Sequence, residues 1–572
     1  MSRINGLAAT FLPLALLACA TPAARTAGPS ATADDDQSGQ SPYGLFLAGE
    51  AAINGGHSDT AAHYFSRAAA ADGDAPVVRA QAFTAALLAG DVEKAANLAP
   101  QGGDVDASVR RLGGLTRGVE ALAEGHAKDA RAILTGPTVG APHNGAAALL
   151  APFAAAAAGD SEASIAHPVI PGEPLAQFFA NLDQGRLYER AGRFDEAETA
   201  FRSLIGAGDA GGIPSLDLGE MFERRGREAD ALATYNQALA RTPDDGALKL
   251  ARDRAGAHGK APPAPTLRQD AAEALIAEAT VLIMQKQEEG ALGYLRLALR
   301  LDPDRGEAWT MVGDILSSVG DTQGARAAYR APRFGSDQFV EARDKLAWSY
   351  QAAQDRQTAL KLARDTVAQV PASREAAVNL ADLLRADQQY ADSIAVLDRL
   401  IDAKGEGQDW RLLYMRAVSL QESGRWSDAE RDLAAALKLR PEEPELLNFL
   451  GYSWIDRGVR LREALAMVQR AVDQNPQSGA MLDSLGWGYY RLGDYKKAVE
   501  KLETAVVLDA ADPDVNNHLG DAYWRVGRRN EAQFQWNRVL TLDPPAKLRT
   551  EVEAKLKSGP DAAVAPAVVA GA

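Results

Sequence analysis

The chain has 572 residues, enough for several domains or for one long repeat array, and carries a formal net charge of −16. That charge argues against a nucleic-acid partner, whose phosphates require a concentrated positive surface. Apolar residues make up 46% of the chain but aromatic residues only 6%, so alanine carries much of the apolar count. Such a composition suits extended helical structure better than a β-sandwich.

Residues 1–18 read MSRINGLAATFLPLALLA, with one arginine and then an apolar run. The run is too short to span a bilayer as a mature helix but suits the core of an export signal. Cys19 follows directly and is the chain's single cysteine, so neither an intrachain disulfide nor a multi-cysteine metal site is available. The stretch Leu16-Leu17-Ala18-Cys19 resembles the lipobox of bacterial lipoproteins, where the cysteine becomes the lipidated first residue. An ordinary secretory signal that contains a cysteine is the alternative. The resemblance implies lipid attachment at Cys19. With Ala20 rather than aspartate behind it, it also implies an outer-membrane lipoprotein facing the periplasm. Residues 19–42 are small, polar and punctuated by Pro and Gly, which predicts a flexible tether.

From there a period emerges. A small residue recurs at Gly49, Gly118, Gly185 and Gly219, with Phe83 and Pro152 filling the intervening places by spacing alone. It resumes at Ala279, Gly313, Ala347, Ala381, Ala417, Gly451, Gly486 and Gly520. The steps within each series run from 33 to 36 residues. A second Gly follows seven residues after many of these markers, as at Gly226, Gly320, Gly424, Gly493 and Gly527, where a first helix must end. Ala231, Ala325, Ala429, Ala498 and Ala532 fall where a second helix must approach closely, and Pro243, Pro303, Pro441 and Pro476 stop that helix. Apolar residues between these points recur at three and four. The pattern resembles the tetratricopeptide repeat and implies an all-α fold, an α-solenoid of about 10–14 helix-turn-helix units.

The phase breaks once, which divides the chain into a first repeat block at 43–245, a junction at 246–268 and a second block at 269–545. The junction contains the pattern of a short helix followed by GKAPPAPT, read either as a hinge or as a plain insertion. The first block is Ala-rich and lacks tryptophan, so it is expected to be more flexible or spacer-like, whereas all eight tryptophans lie between 309 and 536. Residues 546–558 read as a capping helix and 559–572 as a disordered tail.

The sequence offers little chemistry. The seven histidines form no HExxH pair, and neither a GxSxG elbow nor a GxxxxGK[ST] loop is present. No catalytic residue, cofactor or metal site is therefore expected. Function then falls to the inner face of the solenoid. By resemblance to tetratricopeptide folds, the first helix of each unit lines that face at positions six and three before the small marker and one, four and five after it. In the last three units these positions include Asn448 and Tyr452, then Asp483, Trp487 and Tyr490, then Asn517, Asp521, Trp524 and Arg525. Aromatic rings flanked by Asn, Asp and Arg suit an extended peptide. The alternative is that Trp487, Tyr490 and Trp524 pack between units. Tyr489 and Tyr523 already occupy the core position, which favours the groove.

Residues 445–540, together with the amino-terminal pattern, resemble a widespread proteobacterial family of tetratricopeptide-repeat lipoproteins of about this length. One of its members is the outer-membrane adaptor of a carboxyl-terminal processing protease. The resemblance implies a lipid-anchored scaffold for protein partners or extended peptides, among them a periplasmic protease and its cell-wall hydrolase substrates. An assembly or export factor for exopolysaccharide or pilus machinery is the alternative of the same kind, and an envelope-polymer hydrolase the one from another class.

Overall fold

The computed structural model describes residues 41–560, apart from 56, 72–75, 167, 169, 171–173, 207–211, 244 and 403–408. Cys19, the expected signal, nearly all of the expected tether and the tail beyond Pro560 lie outside the described residues. Among the described residues there are thirty helices and no strand, arranged as successive antiparallel pairs. The expected α-solenoid of tetratricopeptide repeats is what the chain forms.

Each pair closes on the small marker. A methyl group added at Gly219 would sit 2.2 Å from the Tyr235 ring, at Gly313 2.3 Å from Tyr329, and at Gly520 2.5 Å from the Trp536 indole nitrogen. In each case the facing side chain lies sixteen residues on and is buried. A missing side chain on the first helix thus receives a large one from the second. The turn between the helices needs a left-handed residue, supplied by Gly493 (φ 82°) and Gly527 (φ 85°). Where no glycine is present, Lys286, Gln354 and Gln388 adopt the same hand.

The described residues form two compact units, which divide at Leu362 and Ala363 rather than at the expected junction 246–268. The reason is a long return of the chain. Residues 246–256 form the short helix Gly246–Gly256 against the preceding pair, and 259–266 carry no helix. The next two helices, Leu267–Met284 and Glu288–Leu301, then fold back into the first block. The Leu267–Met284 helix packs on Asn144–Ala157 and Pro174–Arg190, and the Glu288–Leu301 helix on Pro76–Ala89 and Ala107–Ala123. These four are the marker-bearing first helices of their units. The inner face of the first block is therefore filled by the chain itself, and its Ala-rich helices are core rather than spacer. Phe83, Leu115, Val119, Leu150 and Phe153 share one apolar cluster with Leu275, Leu295, Leu297 and Leu299.

Polar contacts lock the return in place. Arg300 donates to both oxygens of Glu120 at 2.8 Å and also pairs with Glu124. Arg296 donates to the Leu88 carbonyl (2.9 Å), and Tyr294 Oη meets His143 Nδ1 (2.8 Å). Arg186 lies among Asp183, Asp217, Asp270 and Glu273 at 2.9–3.6 Å. Burial pushes the Asp270 carboxyl up to about 6 against the pull of Arg186 and Arg190. A cavity of about 140 Å³ adjoins this joint, lined by Arg186, Arg190, Phe194, Arg224 and Pro265 among others. It lies in a different unit from the predicted groove residues.

The close approach of helices yields a test. Gly520→Ala is expected to cost about 1–3 kcal/mol, because the Trp536 indole must shift. Gly246→Ala, with open space around it, should be neutral or slightly stabilising. Urea midpoints of the two variants, read by tryptophan fluorescence, make the comparison.

Candidate partner-binding groove

All the predicted groove residues fall in the second unit, on three first helices: Pro444–Arg457, Gly479–Arg491 and Pro513–Arg525. Their partners are Leu461–Gln474, Tyr495–Leu508 and Arg529–Thr541, and the helix Ala546–Ser558 closes the series. Two of the first-helix starts are capped by their own side chains, and the other begins on Pro444 instead. Ser478 accepts from the Met481 amide, and Asp512 accepts from the amides of Asp514 and Val515. Successive first helices touch one another, whereas the second helices make no comparable contact among themselves. The first helices therefore line the tighter, inner side.

The last notch of this face is sealed. Lys555, on the closing helix and 3% exposed, donates to Asn517 Oδ1 (2.9 Å) and Asp521 Oδ2 (2.8 Å). Asp521 also accepts from Trp536 Nε1 at 3.1 Å. Burial raises the Asp521 carboxyl despite Lys555, while Lys555 is itself held up by Asp521 and Glu551 against the cost of burial. Trp524 is half-buried, tilted against Trp536 at 5.4 Å, and has Arg529 over its ring. Asn517, Asp521 and Trp524 thus hold the closing helix. Lys555 was legible only as a polar residue of a cap, because its partners lie 34 and 38 residues away.

The middle notch is a stack. Trp487 lies parallel to Tyr490 (4.6 Å, 9°) and to His518 of the next unit (4.2 Å, 15°). Arg525, exposed, donates from Nε to Tyr490 Oη at 3.2 Å. His518 Nδ1 sits 3.0 Å from both oxygens of Asp483, and both residues are buried. Burial opposes a charge on His518, but Asp483, with Asp514 and Asp521 beyond it, pushes the imidazolium up to about 9. Trp487 and Tyr490 therefore join two successive repeats while remaining half-exposed to the inner side. His518 belongs to no metal or catalytic motif, and its aspartate partner lies a full repeat away, so nothing local in the sequence singles it out.

The first notch is different. Asn448 and Tyr452 are half-buried, and the enclosed Asn448 Oδ1 has no hydrogen-bond partner among the described residues. Burial and the carboxylates of Asp483, Asp456, Asp514 and Asp512 drive the Tyr452 phenol well up. Among the described residues no group of three or more His, Cys, Asp or Glu is placed to hold a metal ion, and no helix is long and apolar enough to cross a membrane.

Family models agree with this class of fold. Tetratricopeptide repeat models match residues 182–246, 345–407 and 414–479, and a TPR repeat model matches 488–527. The TPR repeat-containing protein PA4667 of Pseudomonas aeruginosa is 34% identical over 114 residues, 20% of this chain and 19% of that protein. The match thus spans about a fifth of the relative's length. Among solved structures, the Cut9–Hcn1 hetero-tetramer of the APC/C is matched over 91% of this chain and 96% of that one, at 15% identity and a TM-score of 0.39. A tetratricopeptide repeat protein from Parabacteroides merdae is matched over 50% and 97%, at 12% identity and 0.34. MamA from Desulfovibrio magneticus is matched over 28% and 94%, at 22% identity and 0.24.

The charge on His518 makes stability depend on pH. Its folded pKa of about 9 exceeds the unfolded value of ~6.5. The stabilisation is thus fully present below pH 6.5 and lost as pH rises through 9, on the order of 3 kcal/mol in all. Thermal midpoints of the wild type and His518→Gln should lie far apart at pH 6.5 and converge toward pH 9.5.

Proposed function

We propose that this chain is a lipid-anchored adaptor on the periplasmic side of the outer membrane. Its second unit holds partner proteins, a carboxyl-terminal processing protease and the cell-wall hydrolases that protease cleaves. The observation that carries the reading is the contrast between inner faces. In the first unit that face is packed by Leu267–Leu301. In the second, Asn448, Tyr452, Trp487, Tyr490 and Arg525 stay half-exposed or exposed along consecutive first helices. Partly exposed aromatic rings beside hydrogen-bonding groups are what a protein interface uses as anchors. The amino-terminal pattern ending at Cys19 supplies the anchor in this reading, and the tether lets the repeats reach partners away from the membrane.

The test is co-purification. The full chain, expressed in its own envelope and captured after mild cross-linking, should bring down a processing protease and at least one wall hydrolase. Tyr452→Ala with Tyr490→Ala should reduce that yield severalfold while helix content is kept. Absence of both enzyme classes would overturn the reading. Cys19→Ser should leave the chain soluble and unlabelled by palmitate, and continued labelling would overturn the anchor.

A further inference from the structure

In the last repeats of the second unit, the turns that join first to second helices are cationic. Residues 456–463, 490–497 and 524–531 hold nine Lys or Arg against four Asp or Glu, in a chain of net charge −16. At the opposite helix ends the balance reverses, with six acids and one arginine in 440–445 and 509–514. Successive turns also touch. Arg491 donates to the Asp456 backbone carbonyl at 2.7 Å, and Arg525 to Tyr490 Oη at 3.2 Å. The cations thus follow one edge of the unit.

Helix stability does not account for them. A cation at the start of a helix opposes its dipole, yet Arg460, Arg462, Lys496 and Arg529 stand at the starts of second helices. Elsewhere an arginine at such a start is neutralised by the acid three residues on. Arg193 pairs so with Glu196, Arg227 with Asp230 and Arg425 with Asp428, each at 2.7 Å. Arg460 has Glu463 at that place and does not pair with it. Its backbone is left-handed (φ 47°), and its guanidinium lies over the Trp454 ring at 4.7 Å. Arg457 lies over Trp426 at 4.1 Å and Arg529 over Trp524 at 4.6 Å. Among the described residues Arg457, Arg460, Arg462, Arg491, Lys496 and Arg529 make no ion pair, and all but Arg491 are exposed. A guanidinium held flat on a ring keeps its N–H edge pre-set for a phosphate or carboxylate. Between these cations Val459 and Leu492 stand 45% and 39% exposed on the turns.

We infer that this edge docks on an anionic lipid surface. The stacked guanidiniums of Arg457, Arg460 and Arg529, with Arg462, Arg491 and Lys496, take the lipid phosphates, and Val459 and Leu492 enter between the headgroups. An acidic peptide would match the charges alone, whereas apolar residues projecting among them suit the acyl boundary beneath a charged headgroup layer. The inference goes beyond the adaptor reading and does not need a lipid on Cys19.

Vesicle co-sedimentation tests this on the full chain carrying Cys19→Ser, so that no acyl chain contributes. Mixed phosphatidylglycerol–phosphatidylcholine vesicles are compared with phosphatidylcholine alone. Binding should require the anionic lipid and weaken with salt. Arg457→Gln with Arg460→Gln and Arg491→Gln should lower the partition coefficient on the order of tenfold at unchanged helix content. Arg431→Gln with Lys438→Gln and Arg470→Gln removes the same charge from exposed positions on second helices and should change it little. Val459→Ser with Leu492→Ser should lower it severalfold while the salt dependence is kept. Equal binding to the two kinds of vesicle, or equal loss in the two triple variants, would overturn the inference. So would full vesicle binding by the Val459→Ser, Leu492→Ser variant together with tighter binding of a polyglutamate peptide, which would make the edge a protein site. None of these outcomes bears on the partner groove, whose own test is co-purification.

Discussion

Everything in this fold depends on one steric constraint, the near contact of paired helices at a residue with little or no side chain. At Gly219, Gly313 and Gly520 the facing ring leaves no room even for a methyl group. Helices that approach so closely bury a narrow stripe and leave a second apolar face bare. That bare face must be covered by something. The next pair covers it along the array, and the closing helix with Lys555 covers it at the end. In the first unit the chain's own Leu267–Leu301 return covers the inner side as well.

The inner faces of the two units therefore have different fates. Within the first, apolar packing is joined by charge pairs that become costly to break once buried, Arg300 with Glu120 and Arg186 with its four carboxylates. Within the second, coverage is partial. The stack of Trp487 with Tyr490 and His518 ties neighbouring repeats together, and Asn448 and Tyr452 stay half-buried on the same side. A scaffold needs both properties, since a surface presented to partners must be held rigid from behind.

How much of this the sequence disclosed follows from the range of each interaction. The repeat and its markers were legible because the constraint that produces them is local, with Gly219 answering Tyr235 and Gly520 answering Trp536 sixteen residues on. The return of residues 267–301 was not. Arg300 and Glu120 are 180 residues apart, and a period of 34 reports only on nearest neighbours. The phase break was visible, but it read as a boundary between blocks when it is the slack that lets the chain turn back into the first. The groove was legible in part. Counting from the marker brought Asp483, Trp487 and Tyr490 to one face, yet the same count could not show that Asn517 and Asp521 lie beneath Lys555. A buried lysine on a polar helix carries no signature in composition or periodicity.

Hydrogen exchange of the full chain, free in solution, tests most directly whether the first inner face is occupied by the chain itself. Amides of the Glu288–Leu301 helix should exchange as slowly as those of Ala107–Ala123, and the two should lose protection together as denaturant is raised. Exchange from Glu288–Leu301 at the rate of an exposed helix, while Ala107–Ala123 stays protected, would contradict this.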